Sequence, residues 1–416
     1  MKNGVVIVGA GHAGVQAAAS LRDEGYDVPV TLIGDENELP YHKPPLSKTF
    51  IKDSAAVPQI LRAEAFYETG RIELRRGVLV ERIDPVGKRL DLAGGGSISF
   101  DAAILATGSR PRVLRLGGGE LGGVLSLRSV ADARSIRELS ARIEDAVILG
   151  GGFIGLEIAA TLSAGGRRVT VIEAQDRLLG RAVAPAISSH VRQRLEASGI
   201  RVLTQTTVER LEGSNGRVEA AIASTGERLP AQMVIVGIGV VPNMELAAEA
   251  GLETANGIRV DGQMRTSVPE ILAIGDNASY RHWFSGADVR LESVQNATDQ
   301  ARLAARTITG HHDVYRSVPW FWSDIGDMKL QMVGLAQASD RSLVVGDVSD
   351  NKFSVFHYGG ERLIAIESVN RPADHMLGRK MLGAGFSPSV EVVAAGADAV
   401  KSAFMDAQKQ VAADPA

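Results

Sequence analysis

The stretch VILGGGFIGLE at residues 147–157 decides the fold, because a run of apolar, mostly β-branched residues leads directly into closely spaced glycines. Glycines at this spacing, after a strand and before a helix, are typical of a βαβ dinucleotide-binding turn. Residues 5–18, VVIVGAGHAGVQAA, repeat the pattern near the N-terminus. Two such turns, each in strand–turn–helix context, predict an α/β chain that binds two dinucleotides.

Each turn uses its glycines in the same way. The first permits a tight bend, the second lets the backbone approach a pyrophosphate, and the third lets the helix pack on the strand. The residues assigned to these turns are Gly9, Gly11, Ala13 and Gly14 in the first, and Gly150, Gly152, Phe153, Ile154 and Gly155 in the second.

An acidic residue is expected at the end of the strand that follows each turn, where it binds the adenosine ribose. In the second unit this residue is Glu173. Aligning VTLIGD with VTVIEA sets Gly34 opposite Glu173, so the first unit offers Asp35 one position later, with Glu36 as the alternative. We favour Asp35.

Composition excludes several classes of protein. The chain has 416 residues, 45% of them hydrophobic, and a net charge of -4, so no basic excess points to nucleic acid. No apolar run approaches the roughly 18 residues of a membrane span. His311 and His312 lack further residues at metal-ligand spacing. We expect a soluble cytoplasmic protein without a metal site and without a nucleic-acid or membrane partner.

Cysteine is absent from the sequence. No thiolate, sulfenate or redox disulfide can therefore form in this chain. Any electrons that it handles must reside on a bound cofactor.

The character of the sequence changes near residue 320. WFWSD at 320–324 is followed by alternating segments such as LQMVGLA and KFSVFHYG, and then by a helix rich in small residues. This pattern predicts a C-terminal α+β domain. We expect the last residues, VAADPA at 411–416, to fray.

Five further motifs accompany the glycine turns: PPLSK at 44–48, ATGSRP at 106–111, TSVPEILAIGDNA at 266–278, ESVQNA at 292–297 and WFWSD at 320–324. With them the chain resembles, over almost its whole length, NADH-dependent ferredoxin reductases of the putidaredoxin reductase type. The resemblance implies that FAD and NADH are the two dinucleotides. It also implies that electrons pass to a [2Fe-2S] ferredoxin serving a cytochrome P450 or a Rieske oxygenase.

The resemblance implies two Rossmann-like domains of glutathione-reductase type plus the C-terminal α+β domain. The FAD domain would comprise residues 1–112 and 242–319, the NAD domain residues 113–241, and the third domain residues 320–416.

Site residues follow from the same resemblance. Beyond the first turn and Asp35, the FAD site would include Lys48, Val80, Ala106, Thr107, Gly108, Arg128, Asp276, Val294 and Trp322. Gly239 would join the NADH site. A plain helix N-cap is the alternative role for Asp276, and a core tryptophan the alternative for Trp322.

Lys48 and Glu157 are the predicted catalytic residues. In the family a lysine at the Lys48 position lies beside the reactive edge of the flavin, where a cation stabilises the negative charge that develops as hydride arrives. Glu157, two residues after Gly155, could pair with it. A solvated lysine and a first-turn helix glutamate are the alternative interpretations.

Glu173 also bears on cofactor choice. Its carboxylate can accept hydrogen bonds from both ribose hydroxyls but would repel a 2′-phosphate, which predicts NADH rather than NADPH. Arg177 and Arg181 lie a turn away and oppose this assignment.

An acidic ferredoxin should dock on basic residues, for which Arg302, Arg306 and Lys329 are candidates. Arg110 and Arg112 are expected at an interdomain hinge. The alternative function is a redox-responsive FAD/NADH-binding protein similar to apoptosis-inducing factor. A membrane quinone reductase is disfavoured because the C-terminal segment is too polar for an anchor.

Overall fold

The computed structural model describes residues 3–413, which form two compact units. Unit 1 comprises residues 3–45, 57–110 and 240–317, and unit 2 comprises residues 46–56, 111–239 and 318–413. Of the tail expected to fray, residues 414–416 lie outside the described part, and the last helix is assigned through Ala413.

The centre of unit 1 is a parallel five-stranded sheet. Val5–Val8 is its middle strand, with Val5 aligned to Val30 on one side and to Ala102 on the other. All four residues of this strand are at most 6% exposed, as expected for a parallel sheet covered on both faces. The strand order is Ile271–Ala273, Ala102–Leu105, Val5–Val8, Val30–Ile33 and Ile72–Arg75.

Smaller sheets and helices complete unit 1. The helix His12–Asp23 is rich in alanine, a strong helix former, and buries Val15, Ala18 and Leu21. The other helices are Glu64–Thr69, Glu245–Glu249 and Val294–Ile308. The remaining strands are Val80–Asp84, Arg89–Leu92 and Ser97–Ser99 in one sheet, Thr254–Ala255, Gly257–Val260, Ala278–Arg281 and Asp288–Val289 in a second, and the pair Ser109–Pro111 and Val240–Pro242.

Unit 2 contains a second parallel five-stranded sheet. Its middle strand Asp145–Leu149 leads into the second glycine turn, and Ala146 aligns with Val169 and Met233. The strand order is Arg201–Leu203, Arg168–Ile172, Asp145–Leu149, Met233–Val236 and Val124–Leu125. An antiparallel sheet of Val208–Ser214, Arg217–Ala223 and Arg228–Pro230 accompanies it, with helices Thr49–Lys52, Val130–Ser140, Phe153–Ala164 and Pro185–Ala197.

The C-terminal part of unit 2 is an antiparallel sheet, hereafter the C-terminal sheet. Its strand order is Trp320–Ile325, Met328–Gly334, Arg362–Val369, Lys352–Gly359 and Arg341–Asp347. Phe356 and Ile366 are buried in one cluster with Met381 of the helix Pro372–Gly383. The helices Val390–Ala394 and Ala397–Ala413 follow.

The fold class predicted from the glycine turns is confirmed, since both parallel sheets and the mixed C-terminal segment are present. Within residues 3–413, no helix combines the length and apolar character that spanning a bilayer requires. The domain limits given above stay a prediction.

Candidate functional site

The first glycine turn has the backbone geometry of a pyrophosphate cradle. Gly9 has φ +110°, and a Cβ there would lie 2.2 Å from the carbonyl oxygen of Ala106. A Cβ on Gly14 would lie 1.9 Å from the Gly9 oxygen, so helix and strand meet in backbone contact. A Cβ on Gly11 would meet no atom within 4 Å, and no side chain caps the helix there. The turn therefore fits the pyrophosphate of FAD.

The two rivals for the FAD ribose differ in their surroundings. Glu36 accepts a hydrogen bond from the Tyr41 hydroxyl at 2.5 Å and pairs with Lys43 at 3.3 Å. The side chain of Asp35 is exposed at the end of the strand Val30–Ile33. Because Glu36 already binds two groups, the preference for Asp35 stands as a proposal.

Asp276 lies in a short 3-10 turn, Gly275–Asn277, directly after a strand of the parallel sheet. Its Oδ2 accepts a hydrogen bond from the Ser109 hydroxyl at 3.0 Å. The turn begins within reach of the first glycine turn, since a Cβ on Gly275 would lie 3.2 Å from the Ala13 Cβ. The structure thus brings two predicted FAD segments together.

The segment 106–108 is fixed to the same turn. Asn277 is fully buried and donates from Nδ2 to the Thr107 hydroxyl at 2.8 Å. The Thr107 hydroxyl in turn donates to the Asn243 carbonyl at 2.7 Å. Gly108 has φ +64°, which favours glycine.

The remaining predicted FAD residues divide between the units. Val80 is buried in a strand of unit 1, and half-buried Val294 begins a helix of the same unit. Arg128, Lys48 and Trp322 belong to unit 2.

The second glycine turn repeats the geometry of the first. A Cβ on Gly150, at φ +104°, would lie 2.4 Å from the Gly237 oxygen, and a Cβ on Gly155 would lie 2.6 Å from the Gly150 oxygen. A Cβ on Gly152 would meet nothing within 4 Å. This turn therefore fits a second pyrophosphate.

The side chains of the two residues after Gly152 differ in exposure. Ile154 is 48% exposed. Phe153 is half-buried and forms a T-shaped contact with Phe321, with ring centroids 4.7 Å apart.

Glu173 is fixed by two backbone N–H groups, one of which belongs to the second turn. Its Oε2 accepts from the Gly151 N–H at 2.6 Å, and its Oε1 accepts from the Gln175 N–H at 2.8 Å. Two charge-assisted hydrogen bonds orient the carboxylate at the end of its strand. It lies where a ribose-binding acid is expected.

Of the two arginines that opposed the NADH assignment, Arg177 is engaged by backbone carbonyl oxygens. Arg177 donates to the carbonyl oxygens of Val183 and Gly180 at 2.8 and 2.5 Å. Arg181 is exposed and, like Arg177, lines a cavity whose walls do not include Glu173.

The predicted hinge arginines also have defined contacts. The Arg110 guanidinium pairs with Glu245 at 2.6 Å within unit 1. In unit 2, the Arg112 N–H donates to the carbonyl oxygen of Gly239, at 3.0 Å.

Lys48 and Glu157, the predicted catalytic pair, are brought together. Lys48 Nζ lies 2.9 Å from Glu157 Oε1, and Glu157 is 4% exposed. Glu157 belongs to the helix Phe153–Ala164, which begins at the second glycine turn. A buried carboxylate needs compensation, and Lys48 supplies its countercharge.

Two serines also donate hydrogen bonds to the Glu157 carboxylate, and sequence reasoning missed both of them. Ser47 donates to Oε2 at 2.5 Å, and Ser323 donates to Oε1 at 2.6 Å. Both serines are at most 1% exposed. The available signal was their position inside PPLSK and WFWSD, the two motifs most specific to the resemblance.

Trp322 is half-buried on the first strand of the C-terminal sheet. Trp320 lies beside it, with ring centroids 5.7 Å apart, and the Arg379 guanidinium lies 4.4 Å from the centre of the Trp320 ring. The His375 ring forms a T-shaped contact with the Trp320 ring. Burial together with Arg379 lowers the pKa of His375 to about 4.

Of the predicted docking residues, Arg302 and Lys329 are exposed and Arg306 is half-buried, and both arginines are paired. Arg302 lies 3.2 Å from Asp299, and Arg306 pairs with Glu24 and Asp313. Lys329 is exposed on a strand of unit 2.

Two family models match the chain. Residues 3–301 match the pyridine nucleotide-disulphide oxidoreductase family, and residues 320–404 match the reductase C-terminal family. The curated relatives include rhodocoxin reductase of Rhodococcus erythropolis, which is 44% identical over 91% of this chain and 89% of its own length.

Solved structures agree with this assignment. The ferredoxin reductase for the CYP199A2 system from Rhodopseudomonas palustris has a TM-score of 0.92 and 44% identity, covering 94% of this chain and 96% of its own. The reductase of the covalent putidaredoxin reductase–putidaredoxin complex has a TM-score of 0.94 and 36% identity, covering 97% and 99%. The chain therefore belongs to the pyridine nucleotide-disulphide oxidoreductase family and carries its reductase C-terminal domain.

Proposed function

We propose that this protein is an FAD-containing, NADH-dependent ferredoxin reductase, which delivers electrons to a [2Fe-2S] ferredoxin serving a cytochrome P450 or a Rieske oxygenase. The observation that carries the proposal is the presence of two pyrophosphate-fitting glycine turns in a chain without cysteine. Two dinucleotides suit a hydride donor and a flavin. Without cysteine, the electrons cannot pass through a protein disulfide, so an external acceptor is needed.

FAD is assigned to unit 1. Its pyrophosphate would be held by the first glycine turn, its adenosine ribose by Asp35, and the rest of the molecule by Asp276 and the segment 106–108. When bound, FAD supplies a two-electron acceptor for hydride and a one-electron donor for an iron–sulfur protein.

NADH is assigned to the second glycine turn, with its ribose on Glu173. Gly151 and Gln175 hold this carboxylate in place through their backbone N–H groups. A 2′-phosphate would meet like charge there, whereas Arg177 is engaged by two carbonyls. These contacts support NADH over NADPH.

Lys48 and Glu157 are assigned as the catalytic pair. Lys48 provides a fixed cation that stabilises negative charge during hydride transfer, and Glu157 orients it through the 2.9 Å ion pair. Ser47 and Ser323 are positioning residues because they act on Glu157. No side-chain acid or base is needed for the hydride step itself.

The partner is assigned from charge and from the relatives. An acidic ferredoxin would meet exposed Arg302 and Lys329 and half-buried Arg306. The solved relatives include a reductase for a CYP199A2 system and a complex with putidaredoxin, which supports an oxygenase system as the final recipient. A cytoplasmic location stays a prediction.

Anaerobic stopped-flow spectroscopy tests the function. The FAD-loaded protein is mixed with NADH or NADPH, and then with a [2Fe-2S] ferredoxin or a rubredoxin, while flavin and iron absorbance are recorded. We expect fast bleaching with NADH and catalytic reduction of the ferredoxin. A persistent reduced complex that reduces neither carrier would refute the proposal and favour the redox-responsive binding protein.

A further inference from the structure

Unit 2 contains a cavity of about 370 Å³ that none of the assigned dinucleotide contacts uses. One wall is the segment 177–185, which precedes the helix Pro185–Ala197, and the other is the C-terminal sheet. The volume lies at the lower end of the range for small-molecule sites. It suits a ligand much smaller than a dinucleotide.

The inner part of the cavity is built from buried polar groups. His357, 4% exposed, has Nδ1 2.9 Å from the Ser342 hydroxyl, whereas its buried Nε2 makes no hydrogen bond among the described residues. Glu367 Oε1 lies 3.4 Å from this Nε2, outside hydrogen-bonding geometry. Its Oε2 accepts from the Ala184 N–H at 2.7 Å, which ties the two walls together.

An unpaired buried ring nitrogen is costly in a folded protein, and such groups usually have a partner. When Ser342 donates its hydrogen to Nδ1, Nε2 carries a hydrogen, and His357 itself belongs to the cavity lining. A ligand with an acceptor atom would satisfy it.

The charged residues of the lining carry a small excess of positive charge. Arg177, Arg181 and Arg341 all line the cavity. Arg177 already donates to the Val183 and Gly180 carbonyl oxygens, whereas Arg181 and Arg341 form no ion pair among the described residues 3–413. Asp340 and Glu367 are the acidic residues of the lining, so the formal balance is three cations against two anions.

We propose that this cavity binds a small organic anion, whose carboxylate or phosphate group is held by Arg181 and Arg341 and whose body reaches His357. The apolar residues Met332, Val333 and Leu335 line the space beside the charged groups. A guanidinium binds carboxylate and phosphate with the same planar pair of N–H donors. The two ligand classes therefore share one recognition chemistry. The site goes beyond the proposed reductase function and does not depend on it.

Isothermal titration calorimetry of the FAD-loaded protein tests the site, with sodium phosphate and sodium benzoate as probes and sodium chloride at matched ionic strength as reference. We expect saturable binding of at least one probe at one site per chain. Tighter phosphate binding would identify a phosphate ester as the ligand class, and tighter benzoate binding a carboxylate with an apolar body.

Variants locate the bound anion. Arg341→Gln and Arg181→Gln remove exposed side chains, and each should weaken binding about tenfold, as expected for loss of a charged hydrogen bond. Lys352→Gln is the matched control, because Lys352 is exposed on a strand of the C-terminal sheet but does not line the cavity. The flavin content of each variant verifies its folding.

Three results would overturn the proposal. The first is no saturable binding of either probe at concentrations on the order of 10 mM. The second is equal affinity in wild type and Arg341→Gln. The third is complete displacement of the probe by NADH, which would locate the anion at the second glycine turn. A ¹⁵N resonance of His357 Nε2 that shifts on titration would support the proposed contact.

Discussion

Ser47 and Ser323 donate hydrogen bonds to the two different oxygens of a single buried carboxylate, that of Glu157. A third donor, Lys48, shares one of these oxygens. The Thr161 hydroxyl holds the backbone of Ser47 in place, because it donates to the Ser47 carbonyl oxygen at 2.9 Å. The carboxylate is thereby held in one orientation.

Removing one hydroxyl should weaken this arrangement. Ser323→Ala leaves Oε1 with Lys48 as its partner, and loss of a hydrogen bond to a charged group costs about 1.5–3 kcal/mol. We expect flavin reduction by NADH to slow about tenfold, measured by stopped-flow, with a comparable loss in the free energy of unfolding. Ser323→Thr restores the hydroxyl and should recover most of the rate. An unchanged rate in Ser323→Ala would exclude a positioning role.

Removal of the Lys48 charge should slow flavin reduction more than removal of a hydrogen bond that orients Glu157. Lys48→Met removes the charge proposed to stabilise the hydride transition state, for which losses of about 100-fold are typical. Lys52→Met is the matched control, because Lys52 is exposed at the end of the helix Thr49–Lys52, which begins after Lys48. Single-turnover reduction by NADH measures both. Equal rates in the two variants would contradict the assignment of Lys48.

Cofactor selectivity should depend on Glu173. Glu173→Ala removes the ribose acceptor and the repulsion of a 2′-phosphate, so the Kd for NADH should rise about tenfold and the preference over NADPH should shrink. Asp176 is exposed and lies three residues after Glu173, so Asp176→Ala should leave the Kd for NADH and the preference over NADPH unchanged. Titration of the two nucleotides by fluorescence compares the affinities. A preference that survives Glu173→Ala would move the discrimination to another residue.

Two alanine substitutions in the first turn should separate binding from folding. Gly11→Ala adds a Cβ into open space at a φ of -82°, so the protein should fold but lose FAD through contact with the pyrophosphate. Gly14→Ala forces a Cβ to within 1.9 Å of the Gly9 oxygen and should prevent folding. Circular dichroism and flavin absorbance distinguish the outcomes. Full FAD content in Gly11→Ala would place the pyrophosphate elsewhere.

Folding stability should depend on pH through His375. Burial and Arg379 lower its folded pKa to about 4, below the unfolded value of about 6.5, so the unfolded state binds the proton first as the pH falls. Stability is then lost between about pH 6.5 and pH 4, by about 1–2 kcal/mol from pH 7 to pH 5. Urea unfolding of wild type at both pH values measures this loss. His375→Gln should flatten it, whereas exposed His312→Gln should not.

The glycine turns could be predicted because strand, turn and helix are local in sequence. The βαβ units that flank each turn followed from the same pattern. Glu157 and its serines could not be joined in this way, since Ser47 is 110 residues away and Ser323 is 166 residues away. The motifs PPLSK and WFWSD marked both serines without revealing that they bind one carboxylate.

Charge on the surface was equally hard to judge from sequence. Arg302 and Arg306 were candidates because an acidic ferredoxin should dock on basic residues. Asp299, Asp313 and Glu24 pair with them, and two of these partners lie outside that helix. Spacing of basic residues indicates where charge lies, whereas its neutralisation depends on tertiary contacts.

The division of the chain bears on how such proteins can recombine. The backbone passes from one unit to the other five times, at residues 45/46, 56/57, 110/111, 239/240 and 317/318. A chimera that is joined to a relative at a single breakpoint therefore contains sequence from both parents within at least one unit. Exchange of the whole of unit 1 requires replacement of three separate segments of the chain. Residues 46–56 must be retained, because this segment carries Ser47 and Lys48, which contact Glu157 of unit 2. The second glycine turn, Lys48 and Glu157 are therefore inherited together with unit 2, whereas the first glycine turn comes with unit 1.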